Sequence, residues 1–325
     1  MKSDQPPAVA GGARPEAAPA RTNDTPSGRR PGSGLLQEPP GPTVVLRPGA
    51  AYGLSAALGA VTLLAASASF FLPGVLQGPA VTRGTVRGTA LVMMVLAVPL
   101  LFAAMSVASR NSARALVVWL GVVAYIVYQA VLFLFGTPFN ALFPVYVAML
   151  SLALWSAAAL MWQIDLAGFD ARFDERLPAR GLAAYACVMA ALNALVWLRT
   201  IVPAILSDSP PAFLDGSGMT TNPVFVQDLA VWLPLLMVAS WWLVRARPLG
   251  RLIVGALLVM LVIEGIGVAA DQWFGAVADP GTPFASMSAV PLFAALVVIG
   301  MVPLLVYLRH LDADRGKASG SLRHA

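Results

Sequence analysis

The sequence predicts an all-α integral membrane protein, a bundle of about eight transmembrane helices behind a disordered N-terminal tail. Three observations predict it. Of 325 residues, 58% are hydrophobic and 11% are charged, whereas soluble proteins carry about 25% charged residues. The apolar residues gather into eight runs, each near the roughly 20 residues that a bilayer-crossing helix needs. The basic residues are scattered through tails and loops, so a net charge of +5 does not point to nucleic acid.

Residues 1–48 form the first segment. They are rich in Pro, Gly, Ala and Arg and nearly devoid of large apolar side chains, which is the composition of a disordered tail. The compact basic and apolar regions of a signal peptide are missing from it. Arg14, Arg21, Arg29, Arg30 and Arg47 favour a cytoplasmic N-terminus. A solvated tail is the preferred reading, ahead of contact with anionic lipid or a docking partner.

The transmembrane domain covers 49–309, with spans expected at Tyr52–Leu72, Gly88–Ala108, Ala115–Phe135, Ala141–Trp162, Leu182–Leu206, Pro223–Val244, Leu249–Ala270 and Ala285–Leu308. Residues 310–325 form a short C-terminal tail. Basic residues orient the bundle. Arg110 and Arg114, then Arg245, Arg247 and Arg251, mark cytoplasmic loops, as do Arg309, Arg315, Lys317 and Arg323 in the tail. Opposite loops are short, or acidic at Asp208, Asp215, Asp271 and Asp279. Only the first external loop dissents, with Arg83 and Arg87. The expectation is a multi-pass protein of the cytoplasmic membrane with both termini inside. The longest outer loop, 207–222, is long enough to fold over the helix ends, although a flexible connector is the preferred reading.

A four-residue recurrence is visible. Gly136-Thr137-Pro138-Phe139 precedes span four, and Gly281-Thr282-Pro283-Phe284 precedes span eight. It would fit two parallel halves of four helices. Chance also supplies such a match among loop-favouring residues, and chance is the reading adopted at this level.

The sixth span is the most informative. Asn222 before Pro223 is a helix start: Asn caps the orphan amides, and Pro at the first helical position loses no hydrogen bond. Asp228 then lies about 7.5 Å along the helix, where a carboxylate costs on the order of 1–3 kcal/mol. A partner is required. Arg199 lies about 10 Å before the outer end of span five, and Glu264 about 10.5 Å below Asp271 on span seven. Arg199 and Asp228 sit on sequential helices, so a guanidinium–carboxylate pair is expected, with Glu264 completing the network. Tyr125, Tyr128 and Gln129 lie near the outer end of span three. Asn140 begins span four, and Asn193 is deeper in span five.

Several chemistries lack their parts. A single cysteine, Cys187, excludes an internal disulfide and CxxC metal sites. His310 and His324 are the only histidines and fall in the C-terminal tail, which argues against a buried haem or a His-based metal centre. Lys2 and Lys317 are the only lysines, so no Ser–Lys dyad can form in the membrane. No Walker loop, HExxH or GxSxG is present. A carboxylate pair could serve acid–base chemistry, but no nucleophile or metal set supports an enzyme, and no cofactor is expected. The tryptophans at span ends fit an aromatic belt. Pro99, Pro144, Pro203, Pro234 and Pro291 imply kinks.

Two longer stretches carry a resemblance: Gly136–Ala148 (GTPFNALFPVYVA), and Thr221–Ala230 (TNPVFVQDLA) with its continuation to Pro234. With Arg245–Gly250 (RARPLG), they resemble a bacterial family of multi-span membrane proteins that has no assigned activity. The resemblance implies a membrane protein and carries no site residue onto this chain.

Two function classes remain. In the first, a small polar solute or ion is bound or transported through an outer-half site. There Arg199 and Asp228 hold the polar group, Glu264 titrates, and Tyr128, Gln129 and Asn140 line the mouth. In the second, the chain is a non-catalytic scaffold or accessory subunit with a membrane protein partner, and the same residues lock helices together. Lipid is the expected surrounding in both.

Overall fold

The computed structural model describes residues 46, 49–209 and 211–312. The N-terminal expectations for 1–45, and those for the C-terminal tail beyond Asp312, lie outside the described residues. Eight helices are long and apolar enough to cross a membrane, so the chain is a polytopic membrane protein. They are α1 (Ala51–Phe71), α2 (Ala80–Ala108), α3 (Ala113–Phe135), α4 (Phe143–Gln163), α5 (Ala179–Ile205), α6 (Pro223–Val244), α7 (Pro248–Ala278) and α8 (Ala289–Arg309). Among the described residues there is no strand, only the isolated bridges Leu46–Ile164 and Phe173–Leu311.

Two helices are longer than expected. α2 begins eight residues before Gly88, so Arg83 and Arg87 lie on a helix and not in a loop. α7 runs through Asp271 to Ala278, so Asp271 is helical as well. Close packing of α2 on α7 explains both. A Cβ on Gly88 would stand 2.7 Å from the carbonyl of Ala270, and one on Gly275 would stand 2.8 Å from Thr85 Cγ2. Small residues let the two backbones meet, and the contact holds both helices past the points where their hydropathy falls.

α3 and α7 are the most enclosed spans. α7 packs against α2, α3, α6 and α8, and α3 against α2, α4 and α7. α5 and α8 are the least enclosed. Their outward faces carry exposed Leu195, Ile205, Val298 and Val302, as lipid-facing helices do.

α2 and α6 each contain a five-residue π-helical segment, Met93–Ala97 and Asp228–Trp232. Each is followed by x-Pro-Leu-Leu, at Val98–Leu101 and Leu233–Leu236. A proline inside a helix removes one N–H donor and crowds the preceding turn, and a widened π turn relieves that crowding. Pro99 and Pro234 therefore shape the backbone alike. Pro144 instead sits in the first turn of α4 and starts it.

The correspondence extends further. Asn111 and Ala246, in the next turns, both have positive φ, at 60° and 52°. Their amides bond to Ala108 and Leu243, which are also counterparts. Each pair (93 and 228, 111 and 246, 129 and 264) is separated by 135 positions. Counterparts also touch: Gly121 lies against the Ala256 carbonyl, and Gln129 bonds to Glu264. The likeness is local: α2 packs along α7, whereas α6 meets α3 mainly through its first turn, so the two halves are not related by a full two-fold. The four-residue loop recurrence has a different offset and stands apart from this succession. Between Glu264 and Gly281 the offset grows to 145, the stretch in which α7 outruns α3.

One end of the bundle is fastened by polar contacts. Asp312 accepts bonds from the amides of Ala113 (2.9 Å) and Arg114 (3.3 Å), at the start of α3. It also pairs with Arg172 at 3.4 Å, and Arg251 pairs with Asp170 at 2.7 Å. The C-terminal residues His310–Asp312 are thus built into the bundle. At the other end the long loop packs back onto the helices. Ser217 is buried and its carbonyl accepts from Thr82 Oγ1 at 2.9 Å, while Phe213 meets Phe225 at 5.2 Å between ring centroids. This loop is a cover and not a free connector.

Candidate functional site

The site is assembled where α3, α5, α6 and α7 meet. Asn222 caps α6 as expected, its Oδ1 accepting from the Val224 amide at 3.0 Å. The helix then carries Asp228 inward to the first residue of its π segment. Asp228 is only 5% exposed. Its Oδ2 accepts from Trp197 Nε1 at 2.9 Å and from Asn193 Nδ2 at 3.5 Å, both on α5. Tyr128 of α3 lines the same cavity. Two neutral donors from α5 thus hold this carboxylate.

Arg199 is not among them. It is exposed and forms no ion pair with Asp228. The reason is angular. Asn193 and Trp197 are four residues apart and share the α5 face that meets α6. Arg199 is two residues past Trp197, about 200° around the helix, and points away from the site. The expected guanidinium–carboxylate pair does not form.

Glu264 lies on α7, half-buried, and its Oε2 accepts from Gln129 Nε2 at 2.6 Å. Because α7 continues to Ala278, Glu264 stands fourteen residues below the helix end. That is roughly 21 Å, deeper than the 10.5 Å expected. Tyr128 and Gln129 are neighbours in sequence and about 100° apart on α3, so one lines the cavity and the other serves Glu264.

Asp228 and Glu264 line one cavity of about 60 Å³, with Tyr128, Asn193 and Trp232. That is room for about two waters or a solute of that size. Leu236, Leu257 and Met260 form its apolar wall. No arginine, lysine or histidine lines it, and both ion pairs found among the described residues lie at the other end of the bundle. The arrangement therefore offers carboxyl oxygen acceptors, with no basic side chain competing in the lining, to a small cation. No three His, Cys, Asp or Glu side chains converge as metal ligands among the described residues.

Asn140 is elsewhere. Its side chain closes its own turn, donating to the Pro138 carbonyl at 3.0 Å and accepting from the Leu142 amide at 2.9 Å. It lines a separate pocket with Phe133, Pro138 and Tyr146.

Sequence reasoning misses Trp197 as a partner of Asp228, although its four-residue spacing from Asn193 signals a shared face. Asp271, expected in a loop because a charge ends a hydropathy run, lies on α7 outside this cavity. Thr89, whose Oγ1 donates to Asp271 Oδ1 at 2.8 Å, gave no sequence signal. Comparison with protein-family models, curated proteins and solved structures finds no match to this chain.

Proposed function

We propose that the chain binds a small monovalent cation, of the size of sodium or methylammonium, in the cavity between α3, α5, α6 and α7, and carries it across the membrane. The observation that carries this reading is the pairing of two carboxylates on one cavity with no basic side chain in its lining. Charges within a membrane domain are costly unless compensated, and a bound cation compensates them. Asp228 is the fixed member, held by Trp197 and Asn193. Glu264 has one donor, Gln129, and keeps acceptor capacity for a ligand.

Orientation follows from charge. The end fastened by Asp312 carries Arg114, Arg172 and Arg251 and is the cytoplasmic end by the positive-inside rule. Leu46 and Leu311 both pair at that end, so both flanks of the eight-span domain are cytoplasmic. The chain then resides in the cytoplasmic membrane.

The test is thermal unfolding of the protein in nanodiscs. Midpoints are compared in chloride salts of sodium, potassium, ammonium and methylammonium at equal ionic strength, with N-methylglucamine as the bulky control. At least one small cation is expected to raise the midpoint saturably, and Asp228→Asn or Glu264→Gln to abolish the rise. Equal midpoints in all five salts would sink the proposal. A positive result leads to uptake of that cation into proteoliposomes.

A second reading is favoured by the two α5 donors on Asp228 Oδ2. On that reading the cluster locks α5 to α6, and the chain serves as a scaffold for a membrane partner. It expects Asp228→Asn to lower the midpoint equally in every salt.

A further inference from the structure

The cavity leaves Asp271 and Tyr125 unused. Glu264, Gly267 and Asp271 fall on successive turns of α7 and share one face. Tyr125 reaches this face from α3. Its side chain is fully buried, and its hydroxyl has no hydrogen-bond partner among the described residues. The hydroxyl oxygen lies 3.3 Å from where a Cβ on Gly267 would stand, so the missing side chain makes room for the phenol. Along the helix axis Gly267, which the phenol meets, lies roughly 4.5 Å of rise from the Glu264 backbone and 6 Å from that of Asp271. The Oε1 of Gln129, the residue that donates to Glu264, is also buried without a partner. Buried polar groups are ordinarily hydrogen-bonded. An orphan hydroxyl against a helix face that carries two acids points to an occupant that donates and accepts protons.

We propose that Asp271, Tyr125 and Glu264 form a proton relay from the end of α7 to the cavity, so that protons exchange with the bound cation. It rests on the reading of Glu264 as an ionisable group of that cavity. The Asp271 carboxyl gives its proton to the Tyr125 oxygen while the phenolic proton passes to the Glu264 carboxylate. The phenol is neutral before and after, Asp271 becomes a carboxylate, and Glu264 becomes neutral. One proton has moved, and no other reactant is consumed. Rotation of the side chains, or a water in each gap, spans the remaining distances.

The groups around the relay are consistent with this direction. α3 brings Tyr125 and Tyr128, and α6 brings Asp228. α2 holds Asp271 through Thr89. Its charged residues are Arg83 and Arg87, neither of which pairs with Asp271. In α8 the titratable residues are Tyr307 and Arg309, in its last turn at the opposite end. Among the described residues no basic side chain forms an ion pair with Glu264 or Asp271.

Infrared difference spectroscopy on the protein in nanodiscs tests the relay. The carboxylic C=O band of protonated Glu264 is assigned by its loss in Glu264→Gln, and its deuterium exchange is timed after a switch to heavy water. Tyr125→Phe keeps the ring, and Asp271→Asn keeps an acceptor for Thr89, so the two variants guard each other against a folding defect. Both are expected to slow exchange of the Glu264 band by about tenfold or more, while Tyr125→Phe keeps the cation-dependent rise in unfolding midpoint. Wild-type exchange rates in both variants, or no Glu264 band at any pH, would overturn the relay. Slowed exchange without any cation-dependent midpoint would overturn the cation site instead.

Discussion

Gln129 and Glu264 stand 135 positions apart, at matching places along α3 and α7, and bond to each other between these helices at 2.6 Å. One helix thus carries an amide at this place and the other an acid. A pair of acids would place two like charges together, which is costly in low dielectric, whereas the amide supplies a donor. Glu264→Gln makes both members amides and retains one amide–amide hydrogen bond. It is expected to change unfolding free energy by less than about 1 kcal/mol, while the cation-dependent stabilisation disappears. Gln129→Leu instead leaves Glu264 without its donor and is expected to cost about 1–3 kcal/mol. Unfolding by denaturant in mixed micelles reads both.

Trp197 and Arg199 separate by the face each presents. Trp197→Phe keeps an aromatic ring but loses the pyrrole part of the indole together with the 2.9 Å bond to Asp228, a loss of at least about 1.5–3 kcal/mol. Arg199→Gln removes an exposed charge that pairs with no acid among the described residues, and its effect should stay within about 0.5 kcal/mol. The same unfolding assay decides. If Arg199→Gln costs more than Trp197→Phe, the α5 face has been misassigned.

The contact of α2 with α7 is set by glycine. A methyl on Gly88 would stand 2.7 Å from the Ala270 carbonyl and the Asp271 amide, both backbone atoms that cannot swing aside. Gly88→Ala should therefore push the helices apart and cost about 1–3 kcal/mol. The Thr89–Asp271 bond, one residue on, should weaken with it. Gly53, with nothing within 4 Å of its would-be Cβ, is the control: Gly53→Ala should be neutral or stabilising.

These residues show what the sequence could and could not supply. The spans were legible because a bilayer demands about 20 apolar residues per helix, and eight such runs are present. Depth was legible only for Asp228, near the start of α6; Glu264 lies twice as far from the end of α7 as hydropathy suggests, and helix packing, not equal depth, brings the two to one cavity. Azimuth was neglected: Arg199 has the right depth and the wrong face, while Asn193 and Trp197 have both. Asp271 was lost for another reason. Its helix continues because α2 packs closely on it, and that is a tertiary effect absent from local hydropathy. Asn140 was misdirected because its polar atoms are consumed by its own turn. The local likeness of α2 and α6 shows in the sequence only as x-Pro-Leu-Leu, since apolar side chains interchange freely. The backbone preserves it through the paired π segments and the paired left-handed turns.

Asp312 carries the last prediction. It lies past the end of α8, at φ 57°, and its Oδ2 caps α3 by accepting from Ala113 and Arg114. Its Oδ1 meets Arg172 of the loop after α4. One carboxylate therefore joins the ends of three helices, in a setting where both partners are nearly buried, at 11% and 8% side-chain exposure. Ordinary surface pairs contribute about 0–1 kcal/mol, but this residue is also a helix cap, and loss of a cap costs about 0.5–2 kcal/mol. Asp312→Ala should cost about 1–3 kcal/mol, the two losses together. Asp312→Asn, which keeps an acceptor for the amides, should recover the capping share but not the ion pair. If the cavity's function depends on this end staying closed, cation binding will weaken in Asp312→Ala and survive in Asp312→Asn. Limited proteolysis after Arg114 and Arg172, read by mass spectrometry, checks whether the end has opened. Cleavage should rise in Asp312→Ala only, and equal cleavage in both variants would mean that the ion pair, and not the cap, fastens the bundle.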